Sequence, residues 1–222
     1  MTTIFEKQKR ETLVDMALRD IRTAIRTGKL KPGDRIVETR LAEEMNISRF
    51  PIREALRYLE KEGLVRTSSF KGTYVSEFGK RDLIELYQLR SAIEELAVRL
   101  VIKYIDADKI TVFDDIIAAM EKASEADDIE AVIEEDLKFH RTLCDLSGNL
   151  RLMNVWITLE EQLRIFLSIE RSLWGKNAQY YPKTHYPIID AIKSGNSSFA
   201  EKVVREHLQS GINRIENDFL PK

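Results

Sequence analysis

Leu41 to Val65 reads LAEEMNISRFPIREALRYLEKEGLV, and the fold turns on how this stretch is read. Leu41, Ala42 and Met45 place one apolar stripe on a first short helix. Ile52, Ala55, Leu56 and Leu59 place another on a second, at the i, i+3, i+4, i+7 spacing of a helix packed on a core. Ser48 is a natural N-cap, because its hydroxyl can accept from an unsatisfied first-turn amide. Gly63 stops the second helix. Arg49, Arg53 and Arg57 recur every four residues on the face away from the apolar stripe. A helix with apolar residues behind and arginines in front suits the major groove of DNA, where arginine pairs with guanine edges or holds phosphates. The same spacing also fits a helical hairpin whose arginines only meet water.

The residues just past this pair of helices favour the groove-reading helix. Val65 to Ser68 and Thr73 to Ser76 are two β-rich runs around the tip Ser69-Phe70-Lys71-Gly72. Three helices and then a hairpin with a lysine at its tip is the order of a winged helix-turn-helix. The run LKPGDRIVETRLAEEMNISRFPIREALRYLEKEGLV, followed by KGTYV, resembles the DNA-binding domain of the GntR family of bacterial transcription regulators. The core of the resemblance is Ser48-Arg49-Phe50-Pro51-Ile52-Arg53-Glu54-Ala55-Leu56. It implies operator contacts from Arg49 and Arg53, joined by Arg40, Ser48, Phe50, Lys71 and Gly72, with the wing near the minor groove. Phe50 stands where threonine is usual and Thr39 where some members carry arginine, so the preferred operator is expected to differ.

Moving outward, 222 residues allow two modest domains, and the 43% hydrophobic fraction is that of a globular chain. Cys144 is the sole cysteine, which excludes an intrachain disulfide and suits a reducing cytosol. No apolar run is long enough for a bilayer and MTTIFEKQKRE does not read as a signal peptide, so a cytoplasmic protein without membrane contact is expected. Walker, dinucleotide-glycine and Cys-x-x-Cys patterns are absent. Residues 1–78 carry 16 Lys and Arg against 12 Asp and Glu, whereas residues 79–222 carry 19 against 25. A basic first third fits a DNA-reading domain, and the acidic remainder fits something that does not touch DNA.

Upstream, Val14, Ala17, Leu18, Ile21, Ala24 and Ile25 predict a helix from about Lys9 to Thr27, closed by Gly28. Lys31-Pro32-Gly33-Asp34 is a turn, and Ile36-Val37 can pair with the wing. The expected division is a winged helix-turn-helix over 1–77, a linker over 78–80, and a helical effector-binding and dimerisation domain over 81–222. Downstream, helical periodicity predicts six helices: from Arg81, over Ile110–Ala126, Ile129–Leu146 and Leu150 to about Leu173 with Gly175 as its stop, over His185–Lys193, and over Phe199–Phe219. The fold class is mostly α, with an N-terminal winged helix-turn-helix and a C-terminal antiparallel bundle. Trp156, Trp174, Phe139 and Phe166 are read as core.

The chain has three histidines, His140, His185 and His207. Asp136 lies four residues before His140, so both project from one helical face as a workable metal chelate. By spacing alone a histidine on a helix is more often a packed or surface residue, and Asp136 fits a solvated helix charge. The second domain, however, resembles the FCD effector domain of FadR-type GntR regulators, through Arg90 and Glu94 in LRSAIEELAVRL, then DLKFHRTLCDLSGN, HYPIIDAIKSGN and REHL. That resemblance implies a divalent metal, zinc foremost with nickel, manganese or iron as alternatives, on Asp136, His140, His185 and His207. It also implies a small carboxylic acid effector at the positions the protein leaves open.

Arg90 is the candidate second grip on such an acid, set against a plain i, i+4 surface pair with Glu94. Asn149 is a candidate for orienting metal-bound water, unless it only serves a helix-ending turn, and Arg164 is a candidate for lining the cavity. Cys144 stands one turn past His140 and is left outside the ligand set. The expectation is a homodimeric regulator of a palindromic operator, not an enzyme. The alternatives are a metal-dependent enzyme acting on a small acid, with Glu94, Glu134 or Glu135 as base, and a regulator for which the metal is itself the signal.

Overall fold

The computed structural model describes residues 11–68, 72–104, 107–169 and 181–218, and they form two compact units, the first ending at Glu77 and the second beginning at Phe78. The wing tip at 69–71, Trp174, Gly175 and Phe219 lie outside the described residues. Among these residues no helix is long and apolar enough to cross a membrane.

The first unit is three helices and a small sheet: α1 (Leu13–Arg26), β1 (Arg35–Ile36), α2 (Glu38–Glu44), α3 (Arg49–Lys61), β2 (Val65–Ser68) and β3 (Gly72–Val75). α1 begins at Thr12, whose hydroxyl accepts from the Asp15 amide while Asp15 accepts from the Thr12 amide, a reciprocal cap. It buries Ala17, Ile21 and Ile25, and packs against Ile52, Ala55, Leu56 and Leu59 of α3. Asn46 makes the turn between α2 and α3, with φ of 51°. Its amide reaches Glu43 O and that of Ile47 reaches Ala42 O, so two carbonyls left over at the end of α2 find donors. Asparagine tolerates this left-handed position where most side chains clash.

Gly63, at φ 74°, closes α3 in the same way. Ser48 stands at the N-cap of α3, but its side chain makes no capping bond, contrary to expectation. The sheet order is β1-β3-β2, all antiparallel, with Ile36 opposite Thr73 and Val65 opposite Val75. β1 is thus shifted one residue from Ile36-Val37, because Val37 is taken up as the N-cap of α2.

The second unit comprises α4 (Lys80–Tyr104), α5 (Val112–Glu125), α6 (Ile129–Leu146), α7 (Leu150–Ile169), α8 (Tyr186–Lys193) and α9 (Ser197–Asp218). Short 3-10 turns at Ala107–Thr111 and Pro182–Thr184 lead into α5 and α8. Phe78 packs its ring edge-on to Phe166 with centroids 6.5 Å apart, and Gly79 N donates to Asp82 at 2.7 Å. Those contacts draw the expected linker residues 78 and 79 into the bundle. α4 runs against α9, α6 and α7, and the core they share includes Phe113, Phe139, Leu143, Trp156, Leu163 and Phe166.

Gly211 is where α9 comes closest to α4: a Cβ there would lie 2.5 Å from Cε1 of the buried Tyr87 ring. Gly211→Ala is therefore expected to cost about 1–3 kcal/mol through overpacking, read as a lower denaturation midpoint at unchanged slope in a urea titration.

Candidate functional site

α6 is started by Asp128, whose carboxylate accepts from the Ala131 amide at 3.1 Å. Eight residues on, Asp136 and His140 share its inward face and are both buried. His207 is presented by α9 and is half-buried. His185 is not inside a helix as expected. It sits between the 3-10 turn and α8, where Pro187 suits the first turn of the new helix and the preceding turn reverses the chain. The three rings converge, with centroids 5.3 Å apart for His140 and His185, 5.2 Å for His140 and His207, and 4.6 Å for His185 and His207.

The hydrogen bonds fix which nitrogens face the centre. His185 Nδ1 meets Tyr181 O at 3.0 Å and His207 Nδ1 meets Thr184 O at 3.2 Å. A carbonyl can only accept, so in each ring Nδ1 carries a proton, and the neutral form of such a ring has its lone pair on Nε2. His140 Nδ1 is held by Glu94 Oε2 at 2.5 Å. The Nε2 atoms of His140 and His185 are buried with no hydrogen-bond partner among the described residues. Asp136 Oδ1 lies 3.1 Å from His185 Nε2 and 3.9 Å from His140 Nε2. Acceptors therefore face one another in a dry place, an arrangement a cation relieves.

One ligand atom from each histidine lies within 4.8 Å of the others, and three imidazoles with a carboxylate suit zinc, nickel, manganese or iron. The residues fit a divalent metal. Burial holds His140 and His207 below the ordinary imidazole range, so both stay neutral and able to ligate. Burial works against ionisation of Asp136, but the positive charge of Arg90 nearby helps hold the carboxyl below its usual value.

Behind the imidazoles lies a second buried layer. Glu94 Oε1 accepts from Arg90 Nε at 2.9 Å while its other oxygen holds His140. The i, i+4 pair read as a surface feature is real but wholly inside, with side chains 1% and 0% exposed. The Arg90 guanidinium lies over the Tyr87 ring at 4.8 Å and the Trp156 ring at 5.3 Å, and its Nη2 has no hydrogen-bond partner among the described residues. Sequence reading missed the Glu94–His140 contact, and the carbonyls of Tyr181 and Thr184. A signal for the first was present: Arg90 and Glu94 fall in step with Leu83, Leu86, Tyr87, Ala97 and Val101 on the buried stripe of α4.

The remaining second-unit candidates have structural partners. Asn149 Oδ1 accepts from the amides of Arg151 and Leu152, both at 3.1 Å, at the start of α7. Arg164 is held by Glu134 of α6 at 3.0 Å and by Glu160 and Glu161 of α7 at 2.9 and 3.1 Å, joining the two helices. Cys144 is buried, and burial pushes its thiol up, away from the thiolate a metal would take.

In the first unit, Arg49, Phe50 and Arg53 are exposed on the opening turns of α3. Glu38 of α2 accepts from both arginines, at 3.3 Å from Arg49 Nη2 and 3.1 Å from Arg53 Nη2, a contact not visible in the sequence. Arg53 foremost holds the Glu38 carboxyl below its usual value. A groove between α2, α3 and the wing is lined by Arg35, Glu38, Arg49, Arg53, Gly72 and Thr73. At φ 99° Gly72 takes a conformation that favours glycine, and a Cβ there would lie 3.3 Å from Arg35 Nε. Arg40 is exposed and paired with Glu44 at 2.7 Å. The Ser48 hydroxyl, exposed and making no capping bond, sits beside Arg49, whereas Lys71 lies outside the described residues.

Comparison with known proteins accounts for both units. Residues 13–75 match the family described as bacterial regulatory proteins, gntR family, and residues 85–210 match the FCD domain. An uncharacterized HTH-type transcriptional regulator of Bacillus subtilis, YdhC, is 32% identical over 89% of this chain and 88% of its own. A probable D-xylose utilization operon transcriptional repressor of Paenarthrobacter nicotinovorans is 28% identical over 91% and 88%. Among solved structures, Escherichia coli McbR/YncC superposes with a TM-score of 0.75 at 21% identity, covering 94% of this chain and 99% of that one. The chain belongs to the GntR family of bacterial regulatory proteins, with an FCD domain as its second unit.

Proposed function

We propose that this DNA-binding transcription regulator changes its operator affinity when a small carboxylic acid binds at a divalent metal site in the FCD domain. The observation that carries the reading is the set of bare, inward-facing Nε2 atoms beside Asp136, with every Nδ1 held from behind. Asp136, His140, His185 and His207 would hold the ion, zinc foremost. Bound there, it would supply Lewis-acid positions for a carboxylate oxygen. The charge supports an anionic ligand. With neutral imidazoles the buried cluster holds Arg90 against Glu94 and Asp136, so a divalent ion would leave an excess of one positive charge. Arg90 Nη2, buried and without a hydrogen-bond partner among the described residues, is the second grip on the acid.

On the DNA side, Arg49 and Arg53 would leave Glu38 for base edges or phosphates, with Arg40, Ser48 and Gly72 beside them and Lys71 from the wing tip. Two copies of the chain would match the two halves of a palindromic operator. The test is fluorescence anisotropy on an operator duplex obtained by in vitro selection. Metal-loaded protein and protein stripped with chelator are each titrated with a panel of mono-, di- and hydroxycarboxylic acids. At least one acid should shift operator affinity by about 5- to 150-fold, and only in the loaded protein. An acid effect of equal size in stripped protein, or none across the panel, would sink the reading.

Glu94 orients His140 from behind, so Glu94→Gln is expected to lower metal affinity by about 10- to 100-fold, measured by competition with a chromogenic chelator. Operator binding by the acid-free variant should stay within twofold of wild type, roughly the noise of such titrations. Unchanged metal affinity would remove Glu94 from the site.

A further inference from the structure

Phe50 has a place on α3 that core packing does not explain. Its side chain is 70% exposed on the second residue of the helix. Successive residues turn by about 100°, which sets Phe50 almost opposite the mean direction of buried Pro51, Ile52, Ala55, Leu56 and Leu59. It therefore stands at the middle of the exposed face, with Arg53 about 60° and Arg49 about 100° round to the same side of it, at the end of the helix that leads into the groove. Both arginines can bend back to Glu38, whereas a phenyl ring has no polar atom with which to meet a base edge or a phosphate. In the major groove, the apolar feature at the level of the base edges is the C5-methyl group of thymine.

We infer that Phe50 is a specificity-determining residue that reads a thymine, packing its ring on the C5-methyl group of one base in each operator half-site. The contact is apolar, so it favours thymine over cytosine and over uracil without neutralising a phosphate. It gives the protein a preference that serine, with a hydroxyl and no methyl, would not produce at the same place.

The test uses the full-length protein and the operator duplex found by in vitro selection with the wild type. Each thymine is replaced in turn, in both half-sites, by deoxyuridine, which removes only the methyl group. One symmetry-related position should lose about fourfold in affinity per half-site, the worth of burying one methyl-sized group. Phe50→Ala should bind the parent operator more weakly, show no further loss with deoxyuridine there, and keep the wild-type salt slope. Phe50→Ser serves as a second variant with the same expectation, should the alanine protein prove poorly folded by circular dichroism. Absence of any deoxyuridine-sensitive position, a sensitivity that persists in both variants, or a reduced salt slope would overturn the assignment.

Discussion

His140→Ala protein is expected to carry no stoichiometric divalent metal when wild-type protein, purified in parallel without chelator, carries close to one ion per chain by elemental analysis. His140 is fully buried, its Nδ1 is held by Glu94, and its Nε2 faces the other two imidazoles. The chain has no fourth histidine to supply that lone pair, and Cys144 stands one turn further along α6 with its thiol pushed up by burial. Stability should report the same loss. A metal supplied at about a hundred times its dissociation constant stabilises the folded state by about 2.7 kcal/mol. That corresponds to roughly 5–10 °C in melting temperature for a domain of this size. Wild-type protein should show this rise when zinc is added to stripped samples, and His140→Ala should show almost none. Metal retained at full occupancy in His140→Ala would remove the histidine cluster as its site.

Arg49→Ala combined with Arg53→Ala should abolish specific operator binding while leaving metal content at the wild-type level. Each arginine that pairs with a base edge is worth about 5- to 150-fold in discrimination, so the double variant should approach non-specific affinity. The single variants separate the two kinds of contact. Loss of a base contact flattens preference at one operator position, whereas loss of a phosphate contact weakens all sequences alike and lowers the salt slope by about one. Glu38 offers a control, because it accepts from both guanidiniums across the groove. Both side chains are exposed, so neither substitution should disturb the packing of Ile52, Ala55 and Leu59 behind them. Specific binding retained by the double variant would move the recognition surface elsewhere.

The helices and the wing were legible because their signals are local. Apolar residues three and four apart gave α3 its buried face, and Gly63 gave its end. α6 begins and ends where its periodicity does, at Ile129 and Leu146. The Ser48 cap failed for a local reason too: occupying the N-cap position does not oblige a hydroxyl to turn back toward the first amides. Asp136 and His140 could be paired from their spacing of four. Nothing in the spacing of His185 and His207 could bring them to the same point, since that depends on how α9 and the Pro182–Thr184 turn pack on α6. Their grouping came from likeness to a family, and in the structure the three rings converge. Glu94 was missed as a partner of His140 because 46 residues separate them.

Two of the three imidazoles are oriented by main-chain oxygens, those of residues 181 and 184. The Thr184 hydroxyl shares in this, donating to Tyr181 O at 2.8 Å beside His185 Nδ1, whereas the exposed side chain at position 183 does not, and exchanges at 183 should leave the cluster standing. Removing a single residue between Pro182 and Thr184 is another matter. It would rotate both carbonyls and the entry to α8 together, and with them the imidazoles they hold. The cluster should therefore tolerate exchange at the exposed position 183 and no change in the length of the turn. That asymmetry makes a one-residue deletion, with residue 183 exchanged as the matched control, a sharper probe of the site than a survey of substitutions.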